Sequence, residues 1–158
     1  LEKNDLVLHT DMAGSPFFVI KNGQEAGEQT LKETAQAVAV YSRAWKLWHT
    51  SADVFYVKPE QVTKEARPGE YLTKGSFMIY GKTNYLHPSL EYAIGLADGE
   101  IIGGPKTAVE KNTKSFVVVI PGKENKGSLA KKIKHKLKGG DLDDIIKFLP
   151  AGGGELKR

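Results

Sequence analysis

No apolar run in this chain exceeds five residues, and Phe116–Ile120, one of those that reach five, stops at Pro121-Gly122. Runs this short cannot cross a bilayer, which takes roughly 18 apolar residues in succession. They are the length of buried strands. One segment has a different period. At about 100° per residue, Leu31, Ala35, Val38, Tyr41, Ser42 and Trp45 fall on one face, and Lys32, Gln36, Arg43 and Lys46 on the other. The chain is therefore expected to lay one long amphipathic helix, of four or five turns, against a sheet of short strands.

Turn residues divide the rest into elements. Leu6–Leu8 and Phe17–Ile20 flank Asp11-Met-Ala-Gly-Ser-Pro16, a hairpin signal. Thr30-Leu-Lys-Glu33 fits a capping box opening the helix. Asp53–Lys58 reads as a strand closed by Pro59, and Ser76–Tyr80 as another broken by Gly81. Asp98-Gly99 between Leu90–Leu96 and Glu100–Gly103 predicts a second hairpin. The unbroken Phe116–Ile120 run suggests a last strand buried on both faces. Two short helices should follow, capped by Ser128 and Asp141, separated by Gly139-Gly140 and ended by Pro150. Gly152-Gly153-Gly154 is the one low-complexity tract.

The expected fold class is α+β: a mixed or antiparallel sheet of about seven strands packed on one long helix, with a basic C-terminal helical pair. Residues 1–122 form the principal domain in this reading, and 123–158 an extension packed on it.

Chemistry is limited first by what the 158 residues lack. Without cysteine there is no disulfide framework, thiolate metal site or cysteine nucleophile. No phosphate-loop, His-Glu-x-x-His or Gly-x-Ser-x-Gly motif is present. His9 and Asp11, two apart in a strand, share a face and could act as acid and base or as two metal ligands. The plainer reading is a histidine bonded to its adjacent turn, since His49, His87 and His135 offer no evident third ligand. No catalytic residue, metal or cofactor is assigned. Ser42 interrupts the helical stripe, where its hydroxyl could bond the Val38 carbonyl or help line a pocket. Trp45 and Trp48 read first as core, although either could stack on a base.

Charge is the positive signal. The net +4 conceals a division. Residues 1–104 hold ten Lys and Arg against thirteen Asp and Glu, a net −3, whereas 105–158 hold thirteen against six, a net +7. Such asymmetry points to a polyanionic partner. Between Lys123 and Lys138 there are seven lysines and one glutamate. Leu129, Ala130, Ile133 and Leu137 make a narrow apolar arc, and Lys131, Lys132, Lys134, Lys136 and Lys138 fill the remainder. Lysines can simply solvate a helix, but a run without a single acid builds a field that attracts phosphate. The arc lacks the aromatic anchors of an interfacial helix, so no membrane is expected. A central block adds Lys64, Arg67, Lys74 and Lys82 interleaved with Tyr71, Phe77, Tyr80 and Tyr85, the cation-and-aromatic mixture that suits unpaired RNA.

These segments also carry a resemblance. HTDMAGSPFFVIKNG, TLKETAQAVAVYSRAW, SADVFYVKPEQVTKEARPGEYLTKGSFMIYGKTNYL, LEYAIGLADGEIIGGP and VVVIPGKENKGSLAKKI resemble the NFACT-R (DUF814) family nearly end to end, with GEYLTKGSFMIYGK as the most specific block. The C-terminal third is similar to the extension of archaeal-type members. The resemblance implies a cytoplasmic RNA-binding module that helps a larger ribosome-quality-control factor engage tRNA or ribosomal RNA on a large ribosomal subunit. Full-length members carry further domains and a coiled coil; stand-alone versions also occur, and with a first residue of Leu both remain open.

The positions matching the family pattern are His9, Asp11, Gly14 and Ser15; Tyr41, Ser42 and Trp45; and Gln61, Lys64, Gly69, Tyr71, Gly75, Ser76, Gly81 and Lys82. Thr63 stands where Ser is frequent, and Thr83 where a basic residue is, removing one possible phosphate contact. The expected RNA-binding residues are thus His9, Asp11, Ser15, Ser42, Lys64, Lys74, Ser76 and Lys82, with Lys131, Lys132 and Lys134 as a sequence-independent clamp. The alternatives are an enzyme acting on RNA or a modified nucleotide through His9 and Asp11, and a module that docks on ribosomal proteins.

Overall fold

A computed structural model of the chain describes residues 1–12, 14–63 and 77–157. Its architecture is α+β, with antiparallel pairing throughout. In chain order the strands are β1 (Leu6–Thr10), β2 (Phe18–Ile20), β3 (Val54–Val57), β4 (Val62–Thr63), β5 (Met78–Ile79), β6 (Asn84–Leu86), β7 (Tyr92–Ala97), β8 (Glu100–Gly104), β9 (Phe116–Glu124) and β10 (Gly154–Leu156). The helices are α1 (Glu28–Val40), α2 (Arg43–Lys46), α3 (Lys106–Val109), α4 (Lys126–Leu137) and α5 (Leu142–Phe148). Among the described residues the strands form three sheets rather than the single one expected: β2-β1-β3-β6, β10-β9-β7-β8 and the small pair β4-β5.

β1 shows why the first sheet is sandwiched. Successive side chains point to opposite faces. Leu6 and Leu8 enter the main core beneath α1, while Val7 joins Phe55 and Val57 on the other face, under Val62 and Ile79. His9 follows Val7 onto that outer face, opposite Phe55 in the register. The main core is continuous from Leu8, Val38 and Trp45 through Ile94 and Val119 to Leu129, Ile133 and Ile145.

The expected long helix is two helices. It begins at Glu28 with Gly27 as its cap, so Thr30 lies inside the first turn and caps nothing. Its carbonyl instead accepts from the Thr34 hydroxyl at 2.8 Å. The helical stripe then breaks at Ser42, whose extended backbone (φ −89°, ψ 173°) starts α2. The Ser42 hydroxyl donates to Ala39 O at 2.6 Å, rather than to Val38, and accepts from the Ala44 amide at 3.3 Å. A serine reads as a helical position by spacing alone; its capping chemistry ends one helix and begins the next.

Two further boundaries differ from expectation, as does the burial of β9. β9 does not stop at Pro121-Gly122: its pairing with β10 jumps from Ile120 opposite Glu155 to Glu124 opposite Gly154, and Pro121 lies in that bulge, where no ladder amide is needed. Nor is β9 buried on both faces: Val119 is fully buried, and Phe116, Val118 and Ile120 on the alternate face are only half-buried. α4 is capped by Asn125, whose Oδ1 accepts from the Ser128 amide at 2.9 Å. The Asp98-Gly99 hairpin forms as expected, with φ of 50° and 80° at the two turn residues. Asp141 does cap α5, accepting from the Asp143 and Asp144 amides.

The glycine tract is structural. Its chain doubles back so that Gly154–Leu156 forms the edge strand beside β9. Gly153 has φ +80°, and a Cβ there would lie 1.9 Å from Glu124 O. Only glycine fits. No helix among the described residues is long and apolar enough to cross a membrane.

Candidate nucleic-acid interface

The first turn holds the His9 ring in place. Its Nε2 donates to Ser15 O at 2.9 Å, and the ring stacks on Phe17 at 4.0 Å between centroids with 15° between planes. Burial pushes its pKa down, partly offset by the Ser15 bond and the Asp11 charge. His9 is thus a neutral donor already committed to the turn, and Asp11 lies exposed beyond the end of β1. Among the described residues no three His, Asp or Glu side chains are placed to hold a metal. Among the described residues the histidine–carboxylate hydrogen bond is a different one, His87 Nδ1 to Asp53 Oδ1 at 2.6 Å on the surface. Sequence separation hid it, because β3 and β6 bring these residues together only once they pair.

Ser15 and Ser42, both expected to touch RNA, are buried and serve the backbone. Ser15 Oγ accepts from the Thr10 amide at 3.2 Å and donates to Pro16 O at 3.3 Å. Both hydroxyls are engaged by backbone partners. Lys64, Lys74 and Ser76 lie outside the described residues, as do Arg67 and Tyr71. Lys82 is exposed, in a turn fastened by Gln61, whose Nε2 donates to Tyr80 O and Lys82 O, both at 2.8 Å. Phe17, Phe77 and Tyr85 are among the most exposed large apolar side chains, on or beside the face that carries His9.

The C-terminal half supplies the positive surface. Leu129, Ala130, Ile133 and Leu137 are buried, as the arc on α4 requires, and Lys131, Lys132, Lys134, Lys136 and Lys138 all face solvent. Lys132 is paired with Glu124 at 3.0 Å. Lys131, Lys134, Lys136 and Lys138 form no ion pair among the described residues. The tryptophans divide: Trp45 is core at 1% exposure, whereas Trp48, also read first as core, is 51% exposed.

Fold and surface together define a small α+β module with a cationic helix face in its C-terminal half and exposed aromatics on its first sheet. Residues 1–81 match the family described as the NFACT protein RNA binding domain. The chain is 39% identical over 163 residues to the archaeal Rqc2 homolog of Methanocaldococcus jannaschii, a match covering 98% of this chain and 24% of that protein. Human and mouse ribosome quality control complex subunit NEMF are each 42% identical over 91 residues, covering 56% of this chain and 8% of theirs. The chain belongs to the NFACT RNA-binding domain family. It spans about a quarter of the archaeal relative's length.

Proposed function

We propose that this chain is an RNA-binding module that engages tRNA or ribosomal RNA, acting in the cytoplasm as part of a ribosome-associated quality-control factor on the large ribosomal subunit. The observation that carries the reading is the exposed face of α4: Lys131, Lys134, Lys136 and Lys138 have no acidic partner among the described residues, in a member of an RNA-binding family. Unpaired ammonium groups are point charges suited to phosphate oxygens, which fix position without reading sequence. Recognition of particular RNAs then falls to other parts of the surface, Lys82 and the first-turn aromatics included.

Binding of the chain to tRNA across a salt series tests this directly. Log K should fall linearly with log salt, by about 0.7 to 0.9 for each phosphate neutralised. A flat response, or no binding at moderate salt, overturns the reading.

A further inference from the structure

The outer side of β9 and β10 forms the floor of a trough that none of the expected site residues except Lys132 helps to line. One part, of about 850 Å³, runs from Trp48 past Ile120 and Lys123 to Lys132, Lys136 and Lys157. A second, of about 540 Å³, shares Lys136, Leu156 and Lys157 and continues past Phe116 and Val118 to Lys106. The half-buried side chains on the alternate face of β9 thus make an apolar floor, and lysines make the rim. Three carboxylates share this space. Glu124 is paired with Lys132 and Glu91 with Lys157, leaving Glu155 as the acid with no ion pair among the described residues, against Lys106, Lys123 and Lys136.

Trp48 stands at one end in an unusual backbone state. After α2 the His49 amide reaches Ala44 O and the Trp48 amide reaches Trp45 O, both at 3.1 Å, the helix-ending pattern whose left-handed position is normally glycine. Here that position is tryptophan at φ 59°. A bulky side chain is disfavoured there, and about half of the indole surface is left in solvent. Backbone preference does not account for a tryptophan at this position.

Resting on the RNA-binding reading above, we infer that this trough receives an unpaired RNA segment, with a base stacked on Trp48 and its phosphates along Lys123, Lys136 and Lys106. Aromatic stacking accepts any base, and spaced lysines follow a backbone rather than a sequence. The partner is therefore single-stranded RNA of relaxed sequence, such as a loop or a free end.

The test uses the full chain and a fluorescein-labelled ten-nucleotide oligouridylate, with an RNA duplex and tRNA alongside. Trp48→Gly removes the platform and also relieves the left-handed strain, so its melting temperature should stay near wild type while oligouridylate affinity falls about tenfold. Trp48→Phe should retain part of the affinity, and Lys136→Glu should weaken binding without altering the fold. Oligouridylate should quench wild-type tryptophan fluorescence, and the quench should vanish in Trp48→Gly. Unchanged oligouridylate affinity in both Trp48→Gly and Lys136→Glu, with tRNA still bound, overturns the trough and leaves the RNA-binding reading standing. Failure of the wild type to bind any of the three RNAs overturns that reading itself.

Discussion

The indole Nε1 of Trp45 donates a 2.6 Å hydrogen bond to the carbonyl of Gly153, joining α2 to a turn 108 residues later in the chain. The neighbouring Tyr41 hydroxyl does the same to Phe148 O at 2.8 Å. Two polar groups from the α1–α2 junction thus find their partners in the backbone of the C-terminal stretch. Removing either partner strands a largely buried group, at a cost of about 1–3 kcal/mol.

Trp45→Phe deletes the donor and leaves part of the buried indole volume empty, so it should destabilise the fold by at least about 1–3 kcal/mol, through the abandoned Gly153 carbonyl and the cavity beside it. Gly153→Ala should cost at least as much, because its Cβ would collide with Glu124 O and its backbone is left-handed. Urea unfolding followed by tryptophan fluorescence measures both; an unchanged midpoint for Gly153→Ala contradicts the close approach.

Asp5 gives the fold an acid limit. The Glu2 amide, the Lys21 ammonium and the Asn22 amide all donate to its carboxylate, holding its pKa at about 2 against an ordinary 3.8. A carboxylate with a lowered folded pKa contributes its full stability above the unfolded value and loses it as pH falls toward the folded one. The wild type should therefore lose stability between about pH 4 and pH 2. Asp5→Asn should be less stable at neutral pH and show a flatter dependence in that window.

His9 sets a separate, higher window. Its lowered pKa means the neutral ring is favoured in the fold, so its contribution is present above the ordinary value of 6.5 and declines as pH falls below it. His9→Gln, which can still donate to Ser15 O, should remove that pH dependence while keeping most of the stability. Urea midpoints at neutral and mildly acidic pH distinguish the two proteins.

Charge reversal on α4 separates phosphate binding from mere solvation. Lys131→Glu combined with Lys134→Glu should weaken tRNA binding and lower the salt slope by about 0.7 to 0.9 for each phosphate no longer neutralised. The melting temperature should hardly change, because both side chains are exposed. Affinity equal to wild type would return these lysines to the role of a solvated face.

Much of the fold was legible in local pattern: the Asp98-Gly99 hairpin, the first β hairpin, the α4 arc and the Asp141 cap all follow from period and turn chemistry. The errors cluster where one residue has two uses. Ser42 fits the helical stripe by spacing but acts as a cap, and Pro121 is a strand breaker except in a bulge. Gly153 read only as part of a low-complexity tract because its reason lies in a distant carbonyl. At the surface, the α4 lysines were visible in the charge run, whereas Trp48 was not distinguishable from Trp45. Three positions of helical spacing separate those two, and only the chain reversal after α2 turns one into core and the other outward.

The one-sided lysine face of α4 also acts before any touch. Its field extends about 10 Å into solution at ordinary salt, farther than any side chain, so an approaching polyanion is turned toward the C-terminal half while still separated by water. On the proposed RNA-binding role, the basic helix should therefore set the rate and angle of encounter, with shorter-range groups adding to the grip that follows. Raising salt should slow association more than it hastens release.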